Sequence, residues 1–376
     1  MEQVTNPVRH RAFRILRLSV YAVVLVLAVL TAFFVLPATV RYEVSEHYLF
    51  SADGPDVPVY LAVMLPRDGP YQDIADFGVA GDSRVGVENW GPVDVLLMEA
   101  LTGLDSSNEL LISYSVSLSQ GRARWLSPLD DSYLQPQERI EADHPLLVAQ
   151  ATQLASGQSE EEDAYQIFSF TADHLSWPEG TRMDASQSAL EAYQTGVGGC
   201  GEFANLMTAL CRAAKIPAAS ITGLALPWGP PLLTQRTTWS HPGGAHAWVE
   251  VYTGEHWTFA DPSWASRLPA HWLWFGDTHG SHLSYGELAA HDEVYDDILR
   301  WAEVQGEVIG AMSAPLKFVA ATRGDEVSIV PTATVRKTWD GRWFNALAVF
   351  VAVTIGLALL EDRIRQAGVW QQGEGG

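Results

Sequence analysis

A cysteine, a histidine and an aspartate can supply a nucleophile, a proton-transfer group and a carboxylate to orient it. This chain of 376 residues offers each in a context that suits the role. Cys200 follows Gly198-Gly199 and opens a helical pattern in which Phe203, Leu206, Met207 and Leu210 form an apolar stripe, ended by Ile216-Pro217. The two glycines let the backbone turn sharply, so Cys200 is expected at a helix N-terminus. There, free N–H groups and the positive end of the helix dipole stabilise a thiolate and can also hold an oxyanion. The other cysteine, Cys211, lies eleven residues along the same helix. At 1.5 Å per residue that is about 16 Å, far beyond the roughly 7 Å Cα limit for a disulfide, so the two thiols stay unpaired within the chain. Cys211 reads as a small apolar core residue; Cys200, after two glycines, does not.

The partner groups come from the segment Ala245-His246-Ala247-Trp248-Val249-Glu250-Val251-Tyr252, then Thr253-Gly254, then Glu255-His256-Trp257-Thr258-Phe259-Ala260-Asp261-Pro262. Both halves have strand composition, and Thr253-Gly254 reads as a tight hairpin turn. If Tyr252 pairs with Glu255, His246 lies directly across from Asp261, within about 5.5 Å on the same face. That geometry lets a carboxylate orient an imidazole, and a slip of one residue would destroy it. Taken singly, His246 is a strand histidine and Asp261 an Asp-Pro turn starter; with Cys200 upstream they read as base and orienter. Seven of the 11 histidines fall between residues 241 and 291, but no pair has helical i, i+4 spacing with carboxylate support. No metal and no cofactor is therefore expected.

Around these residues the pattern divides the chain. Residues 41–135 read as strands and turns, a small β-sandwich-like domain, with Val57–Val63 and Leu110–Leu118 as its clearest strands. Residues 136–337 form the catalytic domain. They begin with a helix opened by Ser159-Glu160-Glu161-Glu162, whose buried face is Ala164, Ile167, Phe168 and Leu175, and a second short helix follows at 186–195. After Pro217 the pattern is strand-like to about Val335, with long insertions at 226–244 and 270–295. Within the first of these, Leu226 to Trp239 is a candidate lid or an ordinary surface loop.

The ends are different. Leu18–Leu36 is an uncharged apolar run of membrane-spanning length, placed in a span at 18–37. Arg9, Arg11, Arg14 and Arg17 precede it, which places residues 1–17 in the cytoplasm and the chain from residue 41 outside. A second apolar run at 344–360, entered by Trp339 and Trp343, reads as a returning span. Residues 361–376 read as a disordered cytoplasmic tail. The formal net charge is −22, and residues 41–340 carry 16 Lys/Arg against 41 Asp/Glu. So acidic a body has no basic stripe for phosphates, which excludes nucleic acid as a partner.

Gly-Gly-Cys-Gly-Glu-Phe with its Leu-rich helix and Ile-Pro, then His-Ala-Trp-Val-Glu-Val-Tyr, then Trp-Thr-Phe-Ala-Asp-Pro resembles the three-motif signature of the transglutaminase-like superfamily. The resemblance covers residues 160–265 and extends more loosely to the preceding β block. It implies an α+β papain-like core, with a Cys-bearing helix packed on an antiparallel sheet that carries the His and Asp. By the same resemblance Cys200 is the nucleophile, His246 the general base and acid, and Asp261 the orienter, while Glu202 and Trp248 fill structural positions. The aromatic that completes the oxyanion site in animal enzymes has no clear match; Trp177 and Tyr193 are the candidates. The expected function is a membrane-anchored, extracytoplasmic cysteine enzyme acting on protein or peptide amides at the cell envelope through a thioester: crosslinking, deamidation or hydrolysis. The alternative is a non-catalytic envelope scaffold that retains the fold.

Overall fold

In the computed structural model the described residues are 7–373, apart from 35, 37, 53–55, 70, 82–83, 91–92, 103–107, 120–130, 158, 179–186, 227–235, 241–244, 255, 268–270, 277–280, 312–317 and 325–326. The chain forms two compact units. One is Arg41–Thr338; the other joins Met1–Val40 with Trp339–Gly376.

The chain opens with helix α1 (Pro7–Phe34) and then runs through six strands: β1 (Thr39–Ala52), β2 (Val57–Leu65), β3 (Gln72–Ala80), β4 (Arg84–Trp90), β5 (Val93–Thr102) and β6 (Asn108–Ser119). Four helices follow, α2 (Pro145–Leu154), α3 (Glu160–His174), α4 (Ala189–Thr195) and α5 (Cys200–Ala213). Next come β7 (Ala218–Ala225), β8 (Arg236–Ser240), β9 (Ala245–Tyr252), β10 (Trp257–Ala260), the short α6 (Pro262–Ala265), β11 (Phe275–Gly276) and β12 (His282–Glu287). The last elements are α7 (Leu288–Gln305), β13 (Glu307–Ala311), β14 (Phe318–Thr322), β15 (Val327–Asp340) and α8 (Gly341–Gly373).

The class is α+β, with three five-stranded sheets in the orders β3-β6-β1-β15-β8, β13-β14-β2-β5-β4 and β11-β10-β9-β7-β12. The first two make the β block, and strands from both sides of the helical segment build them. β14 pairs antiparallel with β2, Leu61 opposite Ala320, while β15 enters the sheet of β1, β3 and β6. In the third sheet the strands pair antiparallel: β7 lies between β9 and β12, and β10 between β9 and β11. Against it packs α5, whose residues Phe203 to Arg212 are all buried. Helices α2, α3 and α4 cover α5 from the other sides, which is why even Asn205 and Thr208 lie inside. Arg212, at the end of this buried helix, donates to the carbonyls of Ala218 (2.9 Å) and Gln135 (2.7 Å) and to Gln137 Oε1 (2.9 Å). Its charge is thereby hydrogen-bonded and not stranded in the core.

Helix α3 starts as the pattern predicts, with Ser159 Oγ accepting from Glu162 N and Ala164, Ile167 and Phe168 buried. Helix α7 is a departure from the strand-like reading of 217–335. Ile298 and Ala302, one turn apart, are buried against Tyr60, Met64, Val95, Val319 and Ala321, so the helical spacing was present in a stretch otherwise rich in charge. The candidate lid falls mostly on 227–235, outside the described residues; its end, from Arg236 on, is in β8, paired with β15.

In the terminal unit α1 and α8 pack together. Arg17 pairs with Glu361 at one end (2.6 Å) and Phe33 meets Trp343 edge-on at the other (5.0 Å), so the helices run antiparallel. Beside Phe33, Arg342 makes a two-pronged bond to Asp340 (2.8 and 2.6 Å) and lies over the phenyl ring. Ile15–Phe33 and Gly341–Ile364 are each long and apolar enough to cross a membrane, with only 6% of either window buried. Helix α8 is longer than the 344–360 run and continues to Gly373, through the residues read as a disordered tail. Nothing between Leu360 and Gly368 breaks a helix, and Glu361 is held by Arg17.

Candidate active site

Cys200 is the first residue of α5, after Gly199 as N-cap in an extended conformation. The turn is closed by Glu202, one carboxylate oxygen accepting from Gly199 N (2.8 Å) and the other from Gln187 N (2.9 Å). Gly198 is required here, because a Cβ on it would lie 2.5 Å from Glu202 Cβ. Glu202 is therefore a structural cap. It takes the N–H of Gly199 and leaves those of Cys200 and Gly201 without an acceptor among the described residues. The Cys200 side chain is half-buried and open to approach, whereas Cys211 is fully buried. Burial pushes the Cys211 thiol far above its ordinary range, which suits an inert core residue.

The hairpin carrying the other two groups differs from the expected register. Tyr252 pairs with Trp257 instead of Glu255, and the ladder ends at Val249–Ala260. The turn is longer, with Thr253 N donating to His256 O (3.0 Å), the Thr253 and Thr258 hydroxyls bonded at 2.8 Å and Gly254 at φ 80°. A shift of two preserves side-chain parity, so His246 and Asp261 still share a face, now as diagonal neighbours. Asp261 stands one residue past the end of β10 and caps α6, and from there its carboxylate reaches His246.

That carboxylate is completely buried and collects four donors. Oδ1 accepts from Ser263 Oγ (2.7 Å) and Trp264 N (3.0 Å). Oδ2 contacts His246 Nε2 at 2.8 Å and His282 Nε2 at 3.2 Å. Burial alone would raise the Asp261 pKa, but the His246 charge and hydrogen bond, with His282 added, hold it far below the usual carboxylate range. Burial likewise pulls His246 down. The Asp261 charge and hydrogen bond outweigh it, with a hydrogen bond to Cys200 contributing, and the imidazole is raised to about 10. With Nε2 engaged by Asp261, Nδ1 is the ring nitrogen available to the thiol.

Aromatic rings wall the pair: Trp264 lies 5.2 Å from the His246 ring and Trp248 6.1 Å, and both also touch His282. Trp248 is packed tightly enough that a Cβ on Gly223, cross-strand from His246, would come 2.8 Å from its ring. Of the two oxyanion candidates, Trp177 donates to Ser263 O (3.3 Å) and Tyr193 to Gln150 (3.1 Å), so both side-chain donors are engaged elsewhere. The donor atoms of His246, Asp261 and His282 lie within 4.8 Å of one another. The N···O separations are hydrogen-bond lengths, with an N–H of each ring directed at the carboxylate, and the trio is a hydrogen-bonded cluster in this arrangement. Sequence reasoning missed His282. It was one of seven clustered histidines, and only the pairing of β12 with β7 brings it to Asp261.

The His246–Asp261 pair makes stability pH-dependent, with a definite sign. A raised histidine pKa contributes stability fully present below the unfolded value of about 6.5 and lost as pH rises through about 10. The Asp261→Asn variant should therefore melt below the parent protein near pH 6, and the gap in Tm should narrow steadily toward pH 10. A gap independent of pH would mean that the charge on the pair does not contribute.

Residues 148–262 match the model of the transglutaminase-like superfamily. Among solved structures, a candidate cysteine protease from Cytophaga hutchinsonii superposes with a TM-score of 0.52 at 16% identity, covering 80% of this chain and 93% of that one. The periplasmic domain of TgpA from Pseudomonas aeruginosa, bound to ethylmercury, aligns over 60% of this chain and 94% of its own at 16% identity, with a TM-score of 0.32. No curated protein matches the chain. The matched segment runs from α2 to Asp261-Pro262 and so holds the helix-start cysteine and the His–Asp hairpin. This segment is transglutaminase-like.

Proposed function

We propose that the chain is a cysteine enzyme that cleaves or transfers protein or peptide carboxamides through a thioester, with Cys200 as nucleophile, His246 as general base and acid, and Asp261 as orienter. The observation that carries this reading is the buried Asp261–His246 contact at 2.8 Å, with the half-buried Cys200 among the groups that raise the imidazole's pKa. The Cys200 sulfur attacks the amide carbon, and the oxyanion that forms is met by the N–H groups at the start of α5. As the C–N bond breaks, His246 delivers its proton to the departing amine. An incoming amine or water then attacks the thioester, gives its proton back to His246 and releases the thiolate. An amine acceptor yields transfer, including isopeptide crosslinking; water yields deamidation or peptide hydrolysis.

The same proposal includes the setting. Residues 18–37 and 344–360 span the membrane, both termini are cytoplasmic, and the acidic body acts outside on envelope proteins or peptides. Its β-rich part is residues 41–135, to which the catalytic 136–337 contributes the strands β8, β13, β14 and β15. The arginines before the first apolar run and the two outward-facing apolar helices support this topology.

Two experiments test these statements. Full-length protein in detergent, incubated with a mixed peptide substrate and a small primary amine, should yield amine adducts on glutamine or cleaved or deamidated peptides by mass spectrometry. Cys200→Ala should abolish all of them, a loss of at least about 10³-fold; turnover retained by that folded variant would refute the nucleophile, and no turnover by the parent protein would favour the scaffold. Protease added to intact cells should digest the 41–340 body, and protection of that body while a known outward domain is degraded would refute the topology.

A further inference from the structure

We propose that His282 is a positioning residue for this site: its Nε2–H fixes the Asp261 carboxylate so that the carboxylate in turn holds His246 toward Cys200. The inference rests on the cysteine-enzyme reading above. His282 is 2% exposed, and its Nε2 contacts the same Oδ2 that His246 contacts (3.2 Å against 2.8 Å). Its Nδ1 lies 3.2 Å from Ser281 Oγ. Because Asp261 can only accept, Nε2 carries the proton, Nδ1 is left as an acceptor, and the Ser281 hydroxyl donates to it. One tautomer of His282 satisfies both of these contacts.

The ring cannot easily turn away. Phe259 meets it edge-on at 4.8 Å, Trp248 edge-on at 5.0 Å, and Trp264 tilts over it at 4.9 Å. Among the described residues the titratable groups against it are Asp261 and His246. The strand that carries it is clamped from the β block. Gln72 on β3 bonds both backbone groups of Ser284, donating to its carbonyl and accepting its N–H at 2.9 Å each. The Tyr285 hydroxyl reaches Tyr114 (3.2 Å) and Glu46 (3.4 Å), and Tyr114 also donates to Glu46 (2.9 Å). The β block therefore sets β12, β12 sets His282, and His282 sets one edge of the Asp261 carboxylate. A histidine held at both ring nitrogens keeps a fixed tautomer and ring orientation, and so holds its partner in place.

The test uses full-length protein in detergent and iodoacetamide, needs no substrate, and reads Cys200 alkylation against pH by mass spectrometry, with buried Cys211 as an internal control. The parent protein should alkylate rapidly at about pH 6, well below the range of an ordinary thiol. In His282→Phe the rate at that pH should fall by roughly 10-fold, with the profile moved to higher pH, because losing a hydrogen bond to a charged group loosens the Asp261–His246 contact. His282→Gln, which keeps an N–H near the Nε2 position, should stay within about 3-fold of the parent protein, and Ser281→Ala should shift the same way as Phe but less. If His282→Phe does not fold, the ordering of parent protein, Gln and Ser281→Ala carries the test. An unmoved profile in the folded variants, a shift to lower pH, or equal loss in Gln and Phe overturns the positioning role. An ordinary thiol profile in the parent protein itself overturns the underlying cysteine-enzyme reading, and this inference with it.

Discussion

A carboxylate with no solvent must be surrounded by donors, and Asp261 is such a group. Its four partners come from β9, β12 and the first turn of α6, so the hairpin, the sheet edge and the short helix have to meet at one point. The charge that this burial would otherwise penalise is balanced by His246, which is thereby kept protonated to high pH. A protonated imidazole beside a helix N-terminus is the environment in which a thiol gives up its proton. In the proposed mechanism the reactivity of Cys200 is thus a consequence of where a carboxylate is buried two elements away.

The scaffold divides the labour accordingly. Helix α5 is buried on every side, and its start is shaped by Gly198 and by Glu202, which closes the turn while leaving the thiol half-exposed. The sheet supplies His246 and Asp261 from the interior, behind Trp248 and Trp264. The Cys200 thiol is half-exposed and the His246–Asp261 pair is buried, so in the proposed mechanism substrate meets the sulfur while the charge pair stays out of water.

Much of this was legible in the sequence, for a physical reason: Gly-Gly-Cys before an apolar stripe, and a His strand joined by a turn to an Asp-Pro, are local signals. The hairpin register was misread by two, since Thr253-Gly254 looks like a two-residue turn while the backbone closes from Thr253 to His256. The error was harmless only because two is the period of a strand. Contacts of long sequence separation were not legible. Nothing in the sequence near His282 shows that β12 pairs with β7, nor that β14 and β15 join sheets begun some 250 residues earlier. Helix α7 was missed because its buried apolar positions, such as Ile298 and Ala302, are few in a stretch otherwise rich in charge. The tail was read as disordered from its Gln- and Gly-rich end, although the residues just before it favour a helix.

The central claim is a Cys200 thiolate sustained by a His246 imidazolium that Asp261 holds. It is tested most directly by the ultraviolet absorption of the thiolate, taken as the difference between the full-length protein and Cys200→Ala across pH. The account predicts that this band is present at about pH 6 and is lost at that pH when His246 or Asp261 is replaced. A band that appears only above about pH 8, unchanged by either replacement, would contradict it.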